Sequence, residues 1–377
     1  MRRVQQLGPY SLLYRIASGG MAEIYRARVW SLEGDQDVAI KRLLPVYNSD
    51  DEFIVMLTDE ARITRLFDHP NIARVFEFGL YDNQYFLVME FIDGQDLRAL
   101  LKRLNDRGMT LSVGDAIYIV AHALLGLHAA HCQKDGDGRP LDVIHRDFTP
   151  SNILLGYDGA VKLVDFGIAK DRLSRSRTQA GFIKGKIKYM SPEQTRSSTL
   201  DGRSDVFAAG VVLYRCITGQ LPFDEKDDDR LIDAVRERAP TPPSYLCDEI
   251  DGAFDTLLYR ALAKDRDDRF DSAADFSDAL LAWSARAGVL VDASSISKLL
   301  CEVFSAERED AARLQAGVIF DADPTPTSER QSYTRLVGVD DPYPRTLTGF
   351  EAVTESRHIS GKKRGGNTEP GGTDSEL

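Results

Sequence analysis

Apolar and polar positions alternate along residues 9–45, with interruptions at two glycine-containing turns. Alternation with a period of two is typical of strands that bury one face, so this region predicts three antiparallel strands. Residues 51–67 instead place apolar side chains at the helical period. Two further strand-like runs, 73–78 and 85–91, follow. The pattern therefore predicts a small lobe of five strands and one helix.

The periodicity becomes helical after residue 96. Six long stretches carry apolar side chains at the helical period and predict a second, mostly helical lobe, at 97–107, 112–131, 204–218, 228–238, 251–263 and 271–286. Between the second and the third stretch lies the polar run 133–141. We interpret it as a solvated hairpin, because its Asp-Gly pairs are not followed by the later carboxylate of a calcium loop.

The C-terminal part of the chain changes character twice. Residues 287–316 predict a further helical segment with one apolar stripe, formed by Ile296, Leu299, Leu300, Val303 and Phe304. From about residue 321 the chain is rich in Pro, Thr, Ser, Gly and charge, and such a segment buries too little apolar surface to offset chain entropy. We therefore expect a small lobe at 1–92, a large lobe at 93–285, a helical extension packed on it at 286–320 and a disordered tail at 321–377.

Charge and composition argue against several functions. The 377 residues carry a formal net charge of −12, which argues against nucleic acid as a partner, because phosphate backbones are bound through accumulated Lys and Arg. The four cysteines form no C-x-x-C pair, so neither a zinc site nor a disulfide framework is expected. No signal peptide and no membrane span are expected, since no window approaches about 18 apolar residues. The expected location is the cytoplasm.

One run of residues indicates the chemistry. V-I-H-R-D-F-T-P-S-N at 143–152 is followed by V-D-F-G at 164–167. Asp147, Asn152 and Asp165 in it have the spacing of a phosphoryl-transfer centre, where one carboxylate meets a hydroxyl and hard oxygen ligands hold Mg²⁺. Further segments occur in order: I-A-S-G-G-M-A-E-I-Y at 16–25, V-A-I-K ending at Lys41, T-D-E-A-R around Glu60, Y-M-S-P-E at 189–193, S-D-V-F-A-A-G at 204–210 and D-R-D-D-R-F at 265–270.

This ordered set resembles the eukaryotic-type, or Hanks-type, serine/threonine protein kinases over residues 8–285. At V-I-H-R-D-F-T-P-S-N and K-G-K-I-K-Y-M-S-P-E-Q the chain is similar to bacterial kinases of delta-proteobacteria. The resemblance implies an α+β, bilobal protein-kinase fold, with a small antiparallel lobe that has one helix and a larger, mostly helical lobe. It also implies transfer of the γ-phosphate of ATP to Ser or Thr hydroxyls of protein substrates, with Mg²⁺ as the metal and Mn²⁺ as an alternative ion.

The resemblance assigns catalytic roles to five side chains. Asp147 positions the substrate hydroxyl, and Asn152 and Asp165 bind the metal ion. Lys41 pairs with Glu60 and holds the α- and β-phosphates. For this pair the structural alternative is a surface lysine on a strand and a surface glutamate on a helix.

Nucleotide-binding residues are assigned in the same way, with a phosphate loop, an adenine hinge and a ribose contact. The expected set is Ile16, Gly19, Gly20, Ile24, Ala39, Lys41, Met89, Glu90, Ile92, Asp96 and Leu154. For Asp96, the expected ribose contact, the alternative is the N-cap of the following helix.

Several positions depart from the family's pattern. Serine/threonine kinases usually carry Lys two residues after the catalytic Asp and Thr after the Gly near the end of the activation segment, whereas this chain has Thr149 and Lys186 there. The two family residues hydrogen-bond each other, so we interpret the departure as a swap in which Lys186 supplies the catalytic charge. The alternative is a solvent-facing Lys186 and slower catalysis. Ala17 and Ala22 also replace two glycines of the phosphate loop.

Six further residues are expected to support the site: His145, Arg146, Phe166, Glu193, Asp205 and Arg269. The segment 171–188 is expected to be phosphorylated, because it carries Ser174, Ser176 and Thr178 among six Lys and Arg residues. A phosphate there would relieve the like-charge crowding and bind Arg146. Thr178 is the first candidate by its distance before Gly185, and autophosphorylation in trans would bring two copies together.

Two other functions fit parts of the pattern. A pseudokinase scaffold would bind nucleotide or partners without catalysis, and it is favoured by the departures at Ala17, Ala22, Thr149 and Lys186. A kinase-like small-molecule phosphotransferase is disfavoured, because Y-M-S-P-E together with Arg269 builds a platform for protein substrates. Tyrosine specificity stays open, since both positions that separate the two classes of kinase are altered.

Overall fold

The structure of the chain, a computed structural model, describes residues 2–3, 5–31, 34–48, 50–167, 185–316, 318–319 and 333–337. These residues all belong to one of the two units into which the chain divides, residues 1–346. Ser174, Ser176 and Thr178 and most of the tail at 321–377 lie outside the described residues.

The small lobe is built on an antiparallel sheet. Over both lobes, the described strands are β1 (Arg2–Arg3), β2 (Gln5–Leu7), β3 (Tyr10–Ser18), β4 (Ala22–Ser31), β5 (Gly34–Leu43), β6 (Val75–Tyr81), β7 (Gln84–Glu90), β8 (Gly94–Asp96), β9 (Ile153–Gly156), β10 (Val161–Leu163), β11 (Val318–Ile319) and β12 (Tyr333–Val337). Seven of them form one sheet in the order β12-β6-β7-β5-β4-β3-β2. Its members β3 to β7 confirm the five predicted strands.

The sequence pattern does not predict the two edge strands of this sheet. Strand β2 pairs with β3 at one edge, and β12 pairs with β6 at the other. The expectation of a disordered tail is therefore wrong for Tyr333–Val337. The reason is local, because Y-T-R-L-V is rich in strand-favouring side chains and Leu336 packs against the sheet. The average composition of the long tail does not reveal so short a strand-forming segment.

Helix α1 (Asp51–Thr64) packs beside this edge of the sheet. Ala61 of the helix and Phe78 of β6 are buried against each other, and Leu57 and Tyr85 pack around them. The burial of this apolar side orients the helix, so that Glu60, the next residue to Ala61, has a defined position relative to the sheet.

Helices form the large lobe and the extension. They are α2 (Leu97–Asp106), α3 (Val113–His131), α4 (Pro192–Thr195), α5 (Arg203–Thr218), α6 (Asp228–Glu237), α7 (Gly252–Ala261), α8 (Ala273–Ala287), α9 (Ala293–Val303) and α10 (Ser305–Ala316). The six predicted helical stretches agree with the observed helices to within two residues at each end. Side-chain N-caps at Ser112, Asp227, Asp251 and Ser272 define four of the starts, since each accepts a backbone N–H three residues on.

Helix α3 is the central helix of the large lobe. By length and hydropathy alone its 19 residues could cross a membrane, so the expectation that no window approaches a span is wrong. However, 78% of that window is buried inside the protein. Gly126 illustrates the packing, because a Cβ there would come within 2.7 Å of the backbone oxygen of Asn71. We therefore interpret α3 as a core helix.

The extension lies against both lobes. The predicted stripe on α9 is confirmed, with Ile296, Leu300, Val303 and Phe304 buried in the core of the large lobe and Leu299 partly buried. Arg103 of α2 bonds Glu307 of α10. Helix α10 also contacts β3, and β11 pairs in parallel with β1 of the small lobe.

The polar run 133–141 is a hairpin, as predicted. Lys134 and Pro140 pair across it. The Asp135 carboxylate accepts the backbone N–H groups of Asp137 and Arg139. The Asp-Gly pairs therefore serve turn formation.

A buried ion pair stabilises the large lobe beneath α4. The guanidinium of Arg269, which is 1% exposed, donates to the carboxylate of Glu193 at 2.7 and 2.9 Å. Other N–H groups of Arg269 donate to the carbonyls of Ala263 and Arg203, and the Ser204 hydroxyl donates to Glu193. Burial alone would raise the pKa of Glu193, but Arg269 and Ser204 lower it from 4.5 to about 2.

Replacement of Glu193 with Gln is expected to lower the free energy of unfolding by ~3 kcal/mol at neutral pH, because a buried guanidinium loses its charged partner. The folded pKa of Glu193 lies below its ordinary value, so its stabilisation is complete above pH 4.5 and is lost as the pH falls towards about 2. Urea unfolding measured from neutral pH downwards should therefore show that the free energy of unfolding falls more steeply with decreasing pH for wild type than for Glu193→Gln.

The matched control for this prediction is Glu237→Gln, which removes an exposed ion pair with Arg196. An exposed pair of this kind contributes at most about 1 kcal/mol. If the free energy of unfolding depended on pH in the same way for wild type and Glu193→Gln, the stabilising role of the buried carboxylate would be contradicted.

Candidate active site

The contact between Lys41 and Asp165 brings the two lobes together. Lys41 lies on β5 of the small lobe, and its Nζ donates a hydrogen bond of 2.6 Å to Oδ1 of Asp165, which follows β10. Desolvation alone would lower the pKa of Lys41, but the carboxylates of Asp165, Glu60 and Asp147 raise it above its ordinary value. The ammonium is therefore charged and lies among three carboxylates.

Glu60 faces the same space from helix α1. A small cavity of about 10 Å³ is lined by Lys41, Leu43, Leu57, Glu60, Phe78 and Leu87. Asp165 is the direct hydrogen-bond partner of the Lys41 ammonium, while Glu60 acts on it through its charge. The structure thus brings Lys41 and Glu60 to one cavity, and a direct bond between them stays a prediction.

Asp205 of α5 organises the loop that contains His145 and Arg146. Its two carboxylate oxygens accept the backbone N–H groups of these residues at 2.8 and 2.9 Å, and His131 Nε2 lies 2.8 Å from it. Burial alone would raise the pKa of Asp205, but hydrogen bonds and the charge of His131 lower it. Arg146 has a φ of 63°, a backbone conformation that costs about 1–3 kcal/mol outside glycine and needs such support.

A cluster of aromatic rings supports the loop that contains Asp165. The ring of Phe166 lies 4.5 Å from that of His145 and 4.8 Å from that of Phe67, just after helix α1. Gly167 N–H donates to the His145 carbonyl at 2.9 Å. Asp165, with a φ of 54°, precedes this cluster. The buried rings hold the loop in the conformation in which Asp165 meets Lys41.

Asp147 receives two side-chain donors. Lys186 Nζ lies 2.9 Å from its Oδ2, and Asn152 Nδ2 lies 3.1 Å from the same oxygen and 2.8 Å from the Asp147 carbonyl. The Thr149 hydroxyl bonds the Ser151 hydroxyl at 2.9 Å. The structure therefore places Lys186 beside the carboxylate that the sequence assigns to catalysis, and the solvent-facing alternative for Lys186 is not observed.

Asn152 and Asp165 are the residues expected to bind a divalent ion. Val164 N–H donates to the Asn152 carbonyl at 3.1 Å, which holds the two segments side by side. Because the amide nitrogen of Asn152 donates to Asp147, its Oδ1 is the atom that would face an ion. Mg²⁺ usually takes one or two carboxylates with phosphate oxygens and water. An amide oxygen and a carboxylate therefore fit the ion that the family uses.

The residues expected around the adenine ring come from both lobes. Ala39 of β5 pairs in register with Met89 of β7, and Ile24 lies on the adjacent strand β4. Leu154 lies on β9 of the large lobe. These apolar side chains can cover the two faces of a planar ring.

The segment expected to form the adenine hinge includes Glu90 and Ile92, and Glu90 already makes hydrogen bonds within the protein. Glu90 N–H donates to the Arg74 carbonyl at 2.8 Å, and the Glu90 carboxylate bonds Lys162 at 2.7 Å. An adenine contact would therefore use the Glu90 carbonyl and the backbone of Ile92 rather than the Glu90 amide.

Asp96 caps helix α2. Its side chain accepts the Ala99 N–H at 2.7 Å, and desolvation raises its pKa above the ordinary value. The N-cap alternative is therefore realised. Asp96 also pairs in register with Leu154, so a ribose contact by Asp96 stays a prediction.

The expected phosphate loop connects β3 and β4 through Gly19 and Gly20. Gly19 N–H donates to the Ala22 carbonyl at 2.9 Å, and Ile16 before the turn is 48% exposed. A Cβ at Gly19 would meet the Ala22 oxygen at 3.5 Å, an ordinary contact. Folding alone does not require glycine at this position, so a need for glycine would arise from a ligand close to the backbone.

Two residues of the site were not found from the sequence. Gln194 Nε2 donates to the Arg146 carbonyl at 2.9 Å. It directly follows Y-M-S-P-E, so the family-like run K-G-K-I-K-Y-M-S-P-E-Q contained a signal for it. His131, which bonds Asp205, lies at the end of α3 and carries no such signal, because its position depends on how α3 and α5 cross.

Comparison with known proteins gives consistent matches. Residues 10–279 match the family model of the protein kinase domain. The chain is 37% identical to the tyrosine-protein kinase MasK of Myxococcus xanthus over 74% of this chain and 43% of that protein. It is 38% identical to the serine/threonine-protein kinase pkn3 of Myxococcus xanthus, over 71% and 48%. It is 35% identical to the probable serine/threonine-protein kinase PknB of Lactococcus lactis, over 69% of this chain and 40% of that protein. The chain spans less than half of the length of these relatives.

Solved structures agree with these matches. The crystal structure of the Mycobacterium tuberculosis PknI kinase domain has a TM-score of 0.54 and 26% identity to this chain, and the match covers 75% of this chain and 99% of that domain. The bilobal α+β fold and the likeness to delta-proteobacterial kinases are confirmed. The chain belongs to the eukaryotic-type protein kinase family of bacteria.

Proposed function

We propose that the chain transfers the γ-phosphate of ATP to Ser or Thr hydroxyls of protein substrates in the cytoplasm. The observation that carries this proposal is the 2.6 Å hydrogen bond between Lys41 and Asp165. It joins the cation that binds phosphates, on the small lobe, to the carboxylate that binds metal, on the large lobe. Serine/threonine kinases among the relatives support the same acceptor class.

The side chains act by positioning and by charge. Lys41 holds the α- and β-phosphates, and Glu60 supports its charge from helix α1. Asp147 orients the substrate hydroxyl and accepts its proton, since Lys186 and Asn152 hold its carboxylate in one orientation. None of these roles needs a covalent intermediate with the protein.

The cofactors that we propose are ATP and Mg²⁺, with Mn²⁺ as an alternative ion. Asn152 Oδ1 and the Asp165 carboxylate would hold the ion. When bound, the ion would supply positive charge that offsets the charge developing on the phosphates. The protein's own contribution is to keep Asn152 and Asp165 side by side through the backbone bond of Val164.

The competing functions are less well supported. A pseudokinase is disfavoured because Lys41, Glu60, Asp147 and Asp165 surround one cleft. A small-molecule phosphotransferase is disfavoured because the buried ion pair of Glu193 and Arg269, which we expect to anchor a platform for protein substrates, is formed. The name of MasK as a tyrosine-protein kinase makes the acceptor residue the point that an experiment must decide.

Autophosphorylation of the activation segment is part of the proposal. Arg146 sits on the loop that Asp205 and Gln194 hold, and the sequence makes the segment 171–188 strongly basic. A phosphate on Thr178, or on Ser176 or Ser174, would form charge-assisted hydrogen bonds there. Transfer in trans would require two copies of the chain to associate.

Lys186 is proposed as a catalytic residue in place of the family lysine. Its ammonium lies 2.9 Å from Asp147 Oδ2, so Lys186 reaches the cleft from the end of the activation segment. Its side chain is 30% exposed. Thr149, at the family's lysine position, bonds Ser151 instead. A cation beside Asp147 can stabilise the transferring phosphoryl group from either chain position.

Incubation of the purified chain with labelled Mg-ATP is expected to place phosphate on Ser or Thr residues, with Thr178 the first site in mass spectrometry. Asp147→Asn should lower the rate about 10²–10⁴-fold, because the hydroxyl loses its proton acceptor. Asp137→Asn, in the exposed hairpin, is the matched control and should match wild type. Equal labelling of wild type and Asp147→Asn, or labelling of tyrosine alone, would contradict the proposal.

Lys186→Ala is expected to lower kcat on the order of 10²-fold with little change in the KM for ATP, because the lost charge acts on the transition state. The reciprocal variant Thr149→Lys with Lys186→Thr should be faster than either single variant. Lys188→Ala, which removes a pair with Asp224 outside the cleft, is the control. An unchanged kcat in Lys186→Ala, or a double variant no better than the single ones, would rule out the swap.

A further inference from the structure

The outer edge of the small lobe is occupied by a segment from the far end of the chain. Strand β12 pairs antiparallel with β6, with Tyr333 opposite Tyr81 and Thr334 opposite Leu80. It lies outside the kinase-domain match at 10–279. The segment is therefore an addition to the family domain, seated by the backbone pairing with which a peptide adds to a sheet edge.

The side chain of Leu336 connects this strand to the interior of the small lobe. Leu336 packs on the cluster in which Ala61 of helix α1 and Phe78 of β6 are buried, together with Leu57 and Leu87. Strand β12 also contacts helix α1 directly. Leu336 thus packs against both the helix and the sheet.

The apolar layer beneath Leu336 is also a wall of the active site. Leu57, Phe78 and Leu87 line the cavity of about 10 Å³ that contains Lys41 and Glu60. A single layer of side chains therefore separates the tail strand from the lysine and the glutamate. A change in the packing of that layer changes the position of helix α1 and hence of Glu60.

We propose that the groove between strand β6 and helix α1 is a docking site for the chain's own segment 333–337, and that the docked strand holds Glu60 towards Lys41 and raises kinase activity. The effect on activity rests on the proposed function. The docking itself does not, because it depends only on the packing of β12.

The docked strand suits a reversible contact. It has five residues, it pairs with one strand among those that the structure describes, and its pairing shifts register between Arg335 and Val337. A short edge strand of this kind opens at a small fraction of the global unfolding free energy. Modification of the tail, or a partner that binds it, can therefore release the groove without unfolding the small lobe.

The test compares the full-length chain with Leu336→Asp, which puts a charge into the apolar groove. Leu290→Asp is the matched control, since Leu290 is 77% exposed on the extension. In Leu336→Asp, hydrogen exchange in helix α1 should become about tenfold faster and phosphate transfer about tenfold slower. A synthetic peptide of residues 331–340, added to Leu336→Asp, should restore both, and the same peptide with Leu336→Asp should not.

The outcomes separate the two claims. Equal exchange in helix α1 for wild type and Leu336→Asp overturns the docking. Faster exchange with unchanged transfer overturns the coupling to Glu60, and restoration by both peptides overturns the role of Leu336. Hydrogen exchange does not depend on catalysis. A wild-type chain that transfers no phosphate would therefore refute the proposed function, while the exchange data would still test the docking of strand β12.

Discussion

The ion pair between Lys41 and Asp165 is the contact on which the rest of the site depends. It joins a strand of the small lobe to a loop of the large lobe across a separation of 124 residues. Three carboxylates, those of Asp165, Glu60 and Asp147, act on one ammonium. Their mutual repulsion in a partly buried cleft is offset only by cations, and the cleft supplies these from Lys41 and Lys186. Such an acidic cleft favours entry of a nucleotide together with a divalent ion.

The large lobe provides the rigidity that this arrangement needs. Asp205 and Glu193 are buried carboxylates whose pKa values are lowered by their partners, so both stay ionised and keep their hydrogen bonds. Arg146 and Asp165 have positive φ angles. Such strained residues persist only where the surroundings determine them. The buried carboxylates and the ring cluster around Phe166 supply that support, so the positions of Arg146 and Asp165 rest on groups outside the proposed catalytic set.

The sequence predicts those features that depend on local pattern or on motif spacing. Helix boundaries agreed closely, because N-cap side chains and periodicity are local signals. The predicted disorder of the tail failed at Tyr333–Val337, since strand pairing is decided by a distant partner. The apolar length of α3 was underestimated, and only its burial identifies it as a core helix. The candidate site residues were assigned by motif spacing and stay a prediction, whereas the contact of His131 with Asp205 and that of Lys41 with Asp165 required the packing of the chain.

The unequal cores of the two lobes explain why the tail can matter. The large lobe buries a continuous core that includes helix α3 and the apolar stripe of helix α9. Among the described side chains, the cluster beneath helix α1 that Leu336 joins is small, with Ala61 and Phe78 fully buried. A helix that packs on a small cluster is displaced more easily than one in a continuous core, and Glu60 moves with it. Leu336 adds to this layer from outside the cleft. The sensitivity of the site to the tail therefore follows from where the small lobe has least core, and not from any contact of the tail with substrate.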